Sequence, residues 1–194
     1  MLLNVCYYCK NPHRIMPAAV YFYCVFVTPA KEPIVSTENN EATSFDLALL
    51  LRQFLEGVRH SMVLGMELVQ IEPPGLVLRL PYSDQIVGNP ETGVIHGGAI
   101  TTLMDQACGL AVAVALAPEY DITPTIDLRI DYMRPAEPGK DVFAYVEGYR
   151  KTRQVVFTRG IAYHDDRSRP IAHCVANFTR MGLNKKPWDS KEPV

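Results

Sequence analysis

The sequence predicts an α+β fold, in which a curved antiparallel β-sheet wraps around one long buried helix. Residues 97–117 form an almost wholly apolar run rich in Leu, Ala and Met, a pattern typical of a helix buried on nearly every side. Four strand-like runs joined by short turns follow it, and short turns indicate antiparallel pairing. A helix and a hairpin precede it. One sheet layer packed on one helix buries both apolar surfaces.

The elements before the long helix are expected to be an amphipathic helix and a hairpin. Ser44 is a candidate N-cap, and apolar residues recur at helical spacing from there to about His60. Two short strands are predicted at 66–71 and 76–81, because the Pro73-Pro74-Gly75 step between them is a turn signal. The hairpin therefore contributes the first two strands of the sheet.

The long helix is expected to end at Pro118, since proline cannot continue a helix. Its polar interruptions, among them Asp105, are too many for a membrane span. The strands predicted after it are 126–132, 141–149, 155–163 and 170–180. Because tight turns separate them, we expect a four-stranded meander.

The length of 194 residues favours a single domain. We expect an N-terminal extension and linker at 1–43, the folded domain at 44–182 and a loose tail at 183–194. Apolar residues make up 48% of the chain and the net charge is −2, so neither a nucleic-acid nor a membrane partner is expected. Five scattered cysteines indicate a reducing compartment, and we expect a cytoplasmic protein.

The first 35 residues leave several interpretations open. The apolar run 18–27 is shorter than the roughly 20 residues that span a bilayer, which favours a dispensable extension over a targeting signal or an added strand. Cys6-Tyr-Tyr-Cys9, with His13 and Cys24, has some likeness to a zinc site. A second Cys-x-x-Cys pair is missing, so no metal is expected there.

The candidate site lies where a glycine-containing turn enters the long helix. Residues seven apart on a helix are nearly eclipsed, so Gly98 and Asp105 share a face with Thr101 and Thr102. The small side chains of this face leave room for a substrate. The N-terminus of a helix also presents unpaired N–H groups to a polarised oxygen. A buried acid beside oxyanion donors predicts a hydrolase site.

Structural interpretations of the same residues stay open at this point. The sequence alone is equally compatible with Asp105 as a buried acid paired with a distant Arg or Lys. It is also compatible with His96 as a loop histidine that caps the helix or packs in the fold. His164-Asp165-Asp166 is expected to be a solvated turn rather than a metal site. The sequence has no Gly-x-Ser-x-Gly, His-Glu-x-x-His or P-loop motif. Cys108 and Cys174 are expected to be small core residues.

The run GNPETGVIHGGAITTLMDQACG, residues 88–109, resembles the signature of hotdog-fold acyl-CoA thioesterases of the PaaI type. In that family a His-Gly-Gly opens the central helix and a catalytic Asp follows nine residues after the His, as Asp105 follows His96. The strand region is similar as well, including the Tyr-Met-Arg-Pro-Ala-Glu-Pro-Gly step at 132–139. The resemblance covers about 45–180.

The resemblance implies a role for each matching position. Asp105 would be the general base or nucleophile, and the Gly98 N–H would polarise the thioester carbonyl. His96 and Gly97 would shape the turn. Asn89 would lie near the reacting thioester. Thr125 would help to hold the attacking water, and would come from the neighbouring subunit.

The resemblance also implies the substrate and the assembly. Arginines of the strands and turns would bind the CoA phosphates, here Arg134, Arg153 and Arg159, and Gly97, Thr101 and Thr102 would contact the substrate. The expected substrate is a small aryl- or medium-chain acyl-CoA. The resemblance implies a homodimer or homotetramer with sites at the subunit interface. It implies no cofactor. A non-catalytic acyl-CoA-binding module and an acyl-thioester hydratase or dehydratase stay open as alternatives.

Overall fold

The computed structural model describes residues 46–119 and 121–182. The helices are α1 (Leu47–Gly57), α2 (Arg59–Val63) and α3 (Gly97–Leu116). The strands are β1 (Glu67–Glu72), β2 (Gly75–Leu80), β3 (Val87–Asn89), β4 (Val94–Ile95), β5 (Thr125–Tyr132), β6 (Val142–Lys151), β7 (Val155–Tyr163) and β8 (Ala172–Thr179). The predictions for 1–43 and 183–194, including the zinc-like cysteines, fall outside the described residues.

Six strands form one antiparallel sheet in the order β1-β2-β6-β7-β8-β5. The sheet is curved and the long helix α3 packs against it, so the predicted α+β hotdog fold is confirmed. The expected four-stranded meander is wrong, because β5 pairs with β8 and β6 pairs with β2. Residues 133–141 connect the edge strand β5 to β6 in the interior of the sheet. Strand alternation specifies which face of a strand is buried but not which strand lies beside it.

The first helix begins two residues later than its expected cap would place it. The Asp46 carboxylate accepts a hydrogen bond from the Leu49 N–H at 3.0 Å, which makes Asp46 the N-cap in place of Ser44. The helix ends at Gly57, and α2 follows as a separate short helix. Leu51 and Leu55 lie one turn apart and are buried, so α1 covers one end of the core.

The helix α3 fills the concave side of the sheet, and it ends one residue before the expected position. Leu103, Met104 and Ala107 have no exposed surface. The approach of helix and sheet is close at Gly148 of β6, where an added Cβ would lie 2.7 Å from Cβ of Ala115. A larger side chain at this position would push the helix away from the sheet.

Helix α3 is also long and apolar enough to cross a membrane by composition alone. Half of this apolar segment is buried inside the fold, as is typical of a core helix.

Cys108 of α3 and Cys174 of β8 are buried thiols with sulfur atoms 3.6 Å apart, as expected for small core residues. The hydrogen bond with the Cys174 sulfur, together with burial, raises the pKa of the Cys108 thiol, which keeps it protonated.

Candidate active site

Asp105 lies in the third turn of α3 and is partly buried. Its Oδ1 accepts a hydrogen bond from the Thr125 hydroxyl at 3.0 Å. Burial raises the pKa of Asp105, and the hydrogen bond from Thr125 opposes this by lowering it. Within residues 46–119 and 121–182, no Arg or Lys forms an ion pair with this carboxylate. The interpretation of Asp105 as half of a structural salt bridge is therefore not supported.

Thr125 contacts Asp105 of its own chain. That a neighbouring subunit supplies this residue to the site stays a prediction. The strand alternation that groups Thr125 with Asp127 is broken by an irregular register between these two residues. Thr125 pairs with Phe178, whose side chain is buried, and the bulge turns the hydroxyl towards α3. A one-residue bulge inverts the face of everything beyond it, so simple alternation misplaces this residue.

His96 caps α3. Its Nδ1 accepts a hydrogen bond from the Gly98 N–H at 2.9 Å, so the ring is held in a form whose Nδ1 carries no proton. The Gly98 amide is therefore occupied by His96, and its role as oxyanion donor stays a prediction. Among the described residues, none accepts a hydrogen bond from the Gly97 N–H, which is the donor that this first turn leaves open.

Tyr132, the last residue of β5, belongs to the site although it is not among the predicted site residues. Its hydroxyl donates to the Gly97 carbonyl at 2.6 Å and lies 2.9 Å from the Thr101 hydroxyl oxygen. A signal was available: Leu128, Ile130 and Tyr132 alternate on one face of the strand. A phenol at the end of that apolar series has an OH group that needs a partner.

A cavity of about 330 Å³ opens at the start of α3. Its lining is mostly apolar, with the Tyr132 phenol and the Arg134 side chain as polar groups: Ile95, Gly97, Ile100, Tyr132, Met133, Arg134, Pro135 and Ala136. Its volume lies at the lower end of the range of small-molecule sites, about 300–1,000 Å³. The unoccupied Gly97 amide and this cavity lie at the same end of the helix.

The two threonines of α3 bond to their own helix. The Thr101 hydroxyl donates to the Gly97 carbonyl at 3.1 Å, and the Thr102 hydroxyl donates to the Gly98 carbonyl at 3.0 Å. Such bonds to the carbonyl four residues earlier are common for helical Ser and Thr. Thr101 also contacts Tyr132, so it supports the helix start rather than standing free as a substrate contact.

Asn89 is the last residue of β3 and begins the turn to β4. Its side-chain oxygen accepts a hydrogen bond from the Glu91 N–H at 3.0 Å, and its carbonyl accepts from the Thr92 and Gly93 N–H groups. The side chain thereby stabilises the loop that leads into His96. The structure places Asn89 as a turn residue, with no hydrogen bond to Asp105 among the described contacts.

The three arginines proposed for CoA do not cluster. Arg134 lines the cavity, donating to the Arg169 carbonyl at 2.8 Å and, at 3.4 Å, to Glu137. Arg153 is exposed in the turn between β6 and β7. Arg159 lies on the sheet face opposite α3 and pairs with Glu147 at 2.6 Å. Only Arg134 lies beside the candidate site.

His164 is buried, so the expectation of a solvated turn is wrong for this residue. Its Nε2 accepts from the Glu137 N–H at 2.8 Å, and its Nδ1 lies 2.6 Å from the Asp141 carbonyl oxygen. The ring therefore holds both ends of the segment 137–141. Asp165 is exposed, and Asp166 accepts hydrogen bonds from Ser168. A loop histidine becomes buried here because two backbone groups need its nitrogens.

Residues 92–171 match the family model of the thioesterase superfamily. A Halobacterium salinarum protein described as a candidate esterase is 36% identical over 93 residues, which span 47% of this chain and 62% of that protein. The medium/long-chain acyl-CoA thioesterase YigI of Escherichia coli K12 is 27% identical over 144 residues, or 68% of this chain and 92% of that protein.

Solved structures share the fold. A crystal structure of a Pseudomonas aeruginosa protein is 56% identical, with a TM-score of 0.65, and covers 70% of this chain and 100% of its own. The Escherichia coli PaaI protein has a TM-score of 0.61 at 17% identity, covering 70% of this chain and 94% of its own. At that identity the likeness concerns the fold alone.

Proposed function

The chain belongs to the thioesterase superfamily and is a thioester hydrolase, and we propose that it hydrolyses acyl-CoA to the free acid and CoA. The single observation that supports this most strongly is the Asp105 carboxylate on α3. It is held by a hydroxyl rather than by an arginine, and its pKa is raised by burial. A partly buried carboxylate with a raised pKa is the better proton acceptor.

In the proposed reaction Asp105 activates water. Thr125 occupies Oδ1, and no other donor among the described residues contacts Oδ2, which is open to a water molecule. Oδ2 accepts one proton of that water while the hydroxide oxygen bonds to the thioester carbon. The C–S bond then breaks with its electron pair on sulfur, and the proton on Asp105 neutralises the thiolate. Direct attack by the carboxylate, through a mixed anhydride, is the other route open to the same group.

The oxyanion formed in this reaction needs a donor, and we propose the Gly97 N–H. Eight helical residues, about 12 Å along the axis, separate Gly97 from Asp105 in one chain, so the base and the donor of one site would come from two paired copies. This amide begins α3, where the helix dipole also favours negative charge. One such donor typically contributes about 10²–10³ in kcat. Gly98, the choice made from the sequence, is already bonded to His96.

The substrate that we propose is a small aryl- or medium-chain acyl-CoA. The apolar lining of the cavity at Ile95 and Ile100 supports an apolar acyl group, and YigI acts on medium and long chains by its name. Arg134 is the cation nearest this end of the helix among the three candidates, so we assign it the CoA phosphates.

We also propose that two copies pair along β5. This strand is an edge of the sheet, so one side of its backbone has unpaired N–H and C=O groups. Large apolar side chains are exposed on this strand and just after it: Ile126 is 58% exposed, and Met133, the next residue after β5, is 61% exposed. Pairing would bring Asp105 and the cavity next to the subunit interface. Sedimentation of wild type and of Ile126→Lys tests this: a dimer that becomes a monomer supports it, and a wild-type monomer contradicts it.

The proposed activity is tested by release of free CoA from a panel of aryl-, short-, medium- and long-chain acyl-CoAs, using the full chain. We expect saturable turnover with a preference among the medium and aryl thioesters. Calorimetric binding of the same thioesters without turnover would contradict the proposal, and would favour the binding-module alternative.

A further inference from the structure

Tyr132 completes a small hydrogen-bonded cluster at the start of α3. Its hydroxyl donates to the Gly97 carbonyl at 2.6 Å, and the Thr101 hydroxyl lies 3.1 Å from the same carbonyl and 2.9 Å from the phenol oxygen. Each hydroxyl has a single proton. The proton of Tyr132 goes to Gly97, and that of Thr101 is shared between the carbonyl and the phenol oxygen. Two side chains therefore hold one backbone carbonyl.

This carbonyl is part of the peptide group that joins Gly97 to Gly98. The N–H at the other end of the same peptide is held by His96 Nδ1 at 2.9 Å. Two consecutive glycines restrict their own backbone little, so contacts from outside the pair must fix this peptide plane. The helix ladder begins here, and His96 and Tyr132 add a side-chain contact at each end of the peptide.

We infer that Tyr132 is a positioning residue for the Gly97 amide. The inference rests on the proposed function, in which this amide donates to the oxyanion. The Gly97 N–H belongs to the preceding peptide, which is joined to the held Gly97–Gly98 peptide through the φ and ψ of Gly97, so holding that peptide restricts the orientation of this N–H. A donor stabilises an oxyanion only when its N–H is aligned in advance, because hydrogen bonds weaken steeply off axis.

Packing supports the same role. A Cβ on Gly97 would lie 3.3 Å from the Tyr132 hydroxyl oxygen, so the phenol lies directly against this residue. Tyr132 also lines the cavity at this end of the helix. Its hydroxyl reaches the backbone from the end of a strand in the main sheet, which is a more rigid support than a loop.

The test is Tyr132→Phe, which removes the hydroxyl and keeps the ring. We expect kcat for a good acyl-CoA substrate to fall roughly tenfold, part of what a whole oxyanion donor contributes. KM should change less than about twofold, since the ring still lines the cavity. The matched control is Tyr149→Phe, which removes a phenol hydroxyl from an exposed position on β6 and should leave kcat unchanged.

A second readout does not depend on turnover. Hydrogen exchange of the Gly98 amide, followed by NMR, should become faster in Tyr132→Phe and stay as in wild type in Tyr149→Phe. Wild-type kcat with unchanged Gly98 exchange in Tyr132→Phe would overturn the inference. If kcat and Tm both fall in Tyr132→Phe while exchange of the Gly98 amide is unchanged, the inference would also be overturned, because the role of Tyr132 would be merely structural. A wild-type protein inert towards every thioester overturns the proposed function instead, while exchange still reports on the positioning.

Discussion

The two ends of β5 both donate a hydroxyl to α3, but to different kinds of acceptor. At the first residue Thr125 donates to the Asp105 carboxylate, and at the last residue Tyr132 donates to the Gly97 carbonyl. The first contact lowers the pKa of a group that titrates, whereas the second holds a backbone group that does not. One edge strand therefore supports both partners of the proposed reaction in separable ways.

Among the changes that compare the two ends of β5, the largest effect is expected at the backbone end, from Gly97→Ala. The new Cβ would lie 3.3 Å from the Tyr132 hydroxyl oxygen, so the amide and the phenol must move apart by a few tenths of an ångström. We expect kcat to fall about tenfold to a hundredfold, because a displaced donor loses much of its stabilisation of the oxyanion. Steady-state CoA release measures this.

The control for that change is Gly109→Ala in the same helix. Its Cβ would meet only Phe178, at 3.8 Å, which is ordinary van der Waals contact. Turnover of this variant should stay close to wild type. Equal losses in the two variants would mean that any added methyl group on α3 harms the enzyme, and the role given to Gly97 would fail.

The next effect is a shift in pH dependence at the carboxylate end. The Thr125 hydroxyl lowers the pKa of Asp105, so Thr125→Val should raise it further. A base works only when deprotonated, so the acid limb of kcat/KM should move to higher pH. Thr125→Ser keeps a hydroxyl, so the acid limb of its kcat/KM profile should lie at the same pH as in wild type. Tyr132→Phe should leave the limb in place, and a shift of equal size in that variant would erase the distinction between the two ends.

A smaller effect concerns stability. Because the folded pKa of Asp105 is raised, its protonated form favours the folded state and its charged form opposes it. Asp105→Asn should therefore have a higher Tm than wild type above that pKa. The difference in Tm between Asp105→Asn and wild type should become smaller as the pH falls through the pKa of Asp105, since the wild-type carboxyl then becomes neutral as well. Calorimetry between pH 4 and 8 measures the gap, and a gap that widens on acidification would contradict the assigned direction.

The smallest effects are expected among the arginines. Arg134→Ala should raise KM for acyl-CoA several-fold, since the side chain lines the cavity. Arg159→Ala should leave KM unchanged, because Arg159 is paired with Glu147 on the other face of the sheet. Equal KM changes in the two variants would remove the assignment of Arg134.

Much of this site could be predicted from the sequence because it lies on one helix. The spacing from His96 to Asp105 on an apolar segment predicts the helix, its N-terminus and the buried acid. Local periodicity along the chain is sufficient for these three predictions. The raised pKa of Asp105 also follows from burial alone.

The contacts made by β5 could not be predicted in the same way. The bulge beside Thr125 reverses its face, and the pairing of β5 with β8 instead of β6 decides which end of the strand meets which turn of α3. Occupation of the Gly98 amide by His96 depends on a side-chain rotamer. Such features arise from tertiary packing, which spacing along the chain does not encode.

The most direct test of the account is the turnover number of Asp105→Asn at the pH where wild type is most active, measured as CoA release from the best substrate of the panel. The amide keeps the shape and can still accept from Thr125, but it is no base or nucleophile, so kcat should fall about 10²–10⁴-fold. Asp131→Asn, which removes an exposed acid paired with Arg129, should match wild type. Turnover of Asp105→Asn within about threefold of wild type would contradict the role assigned to this carboxylate.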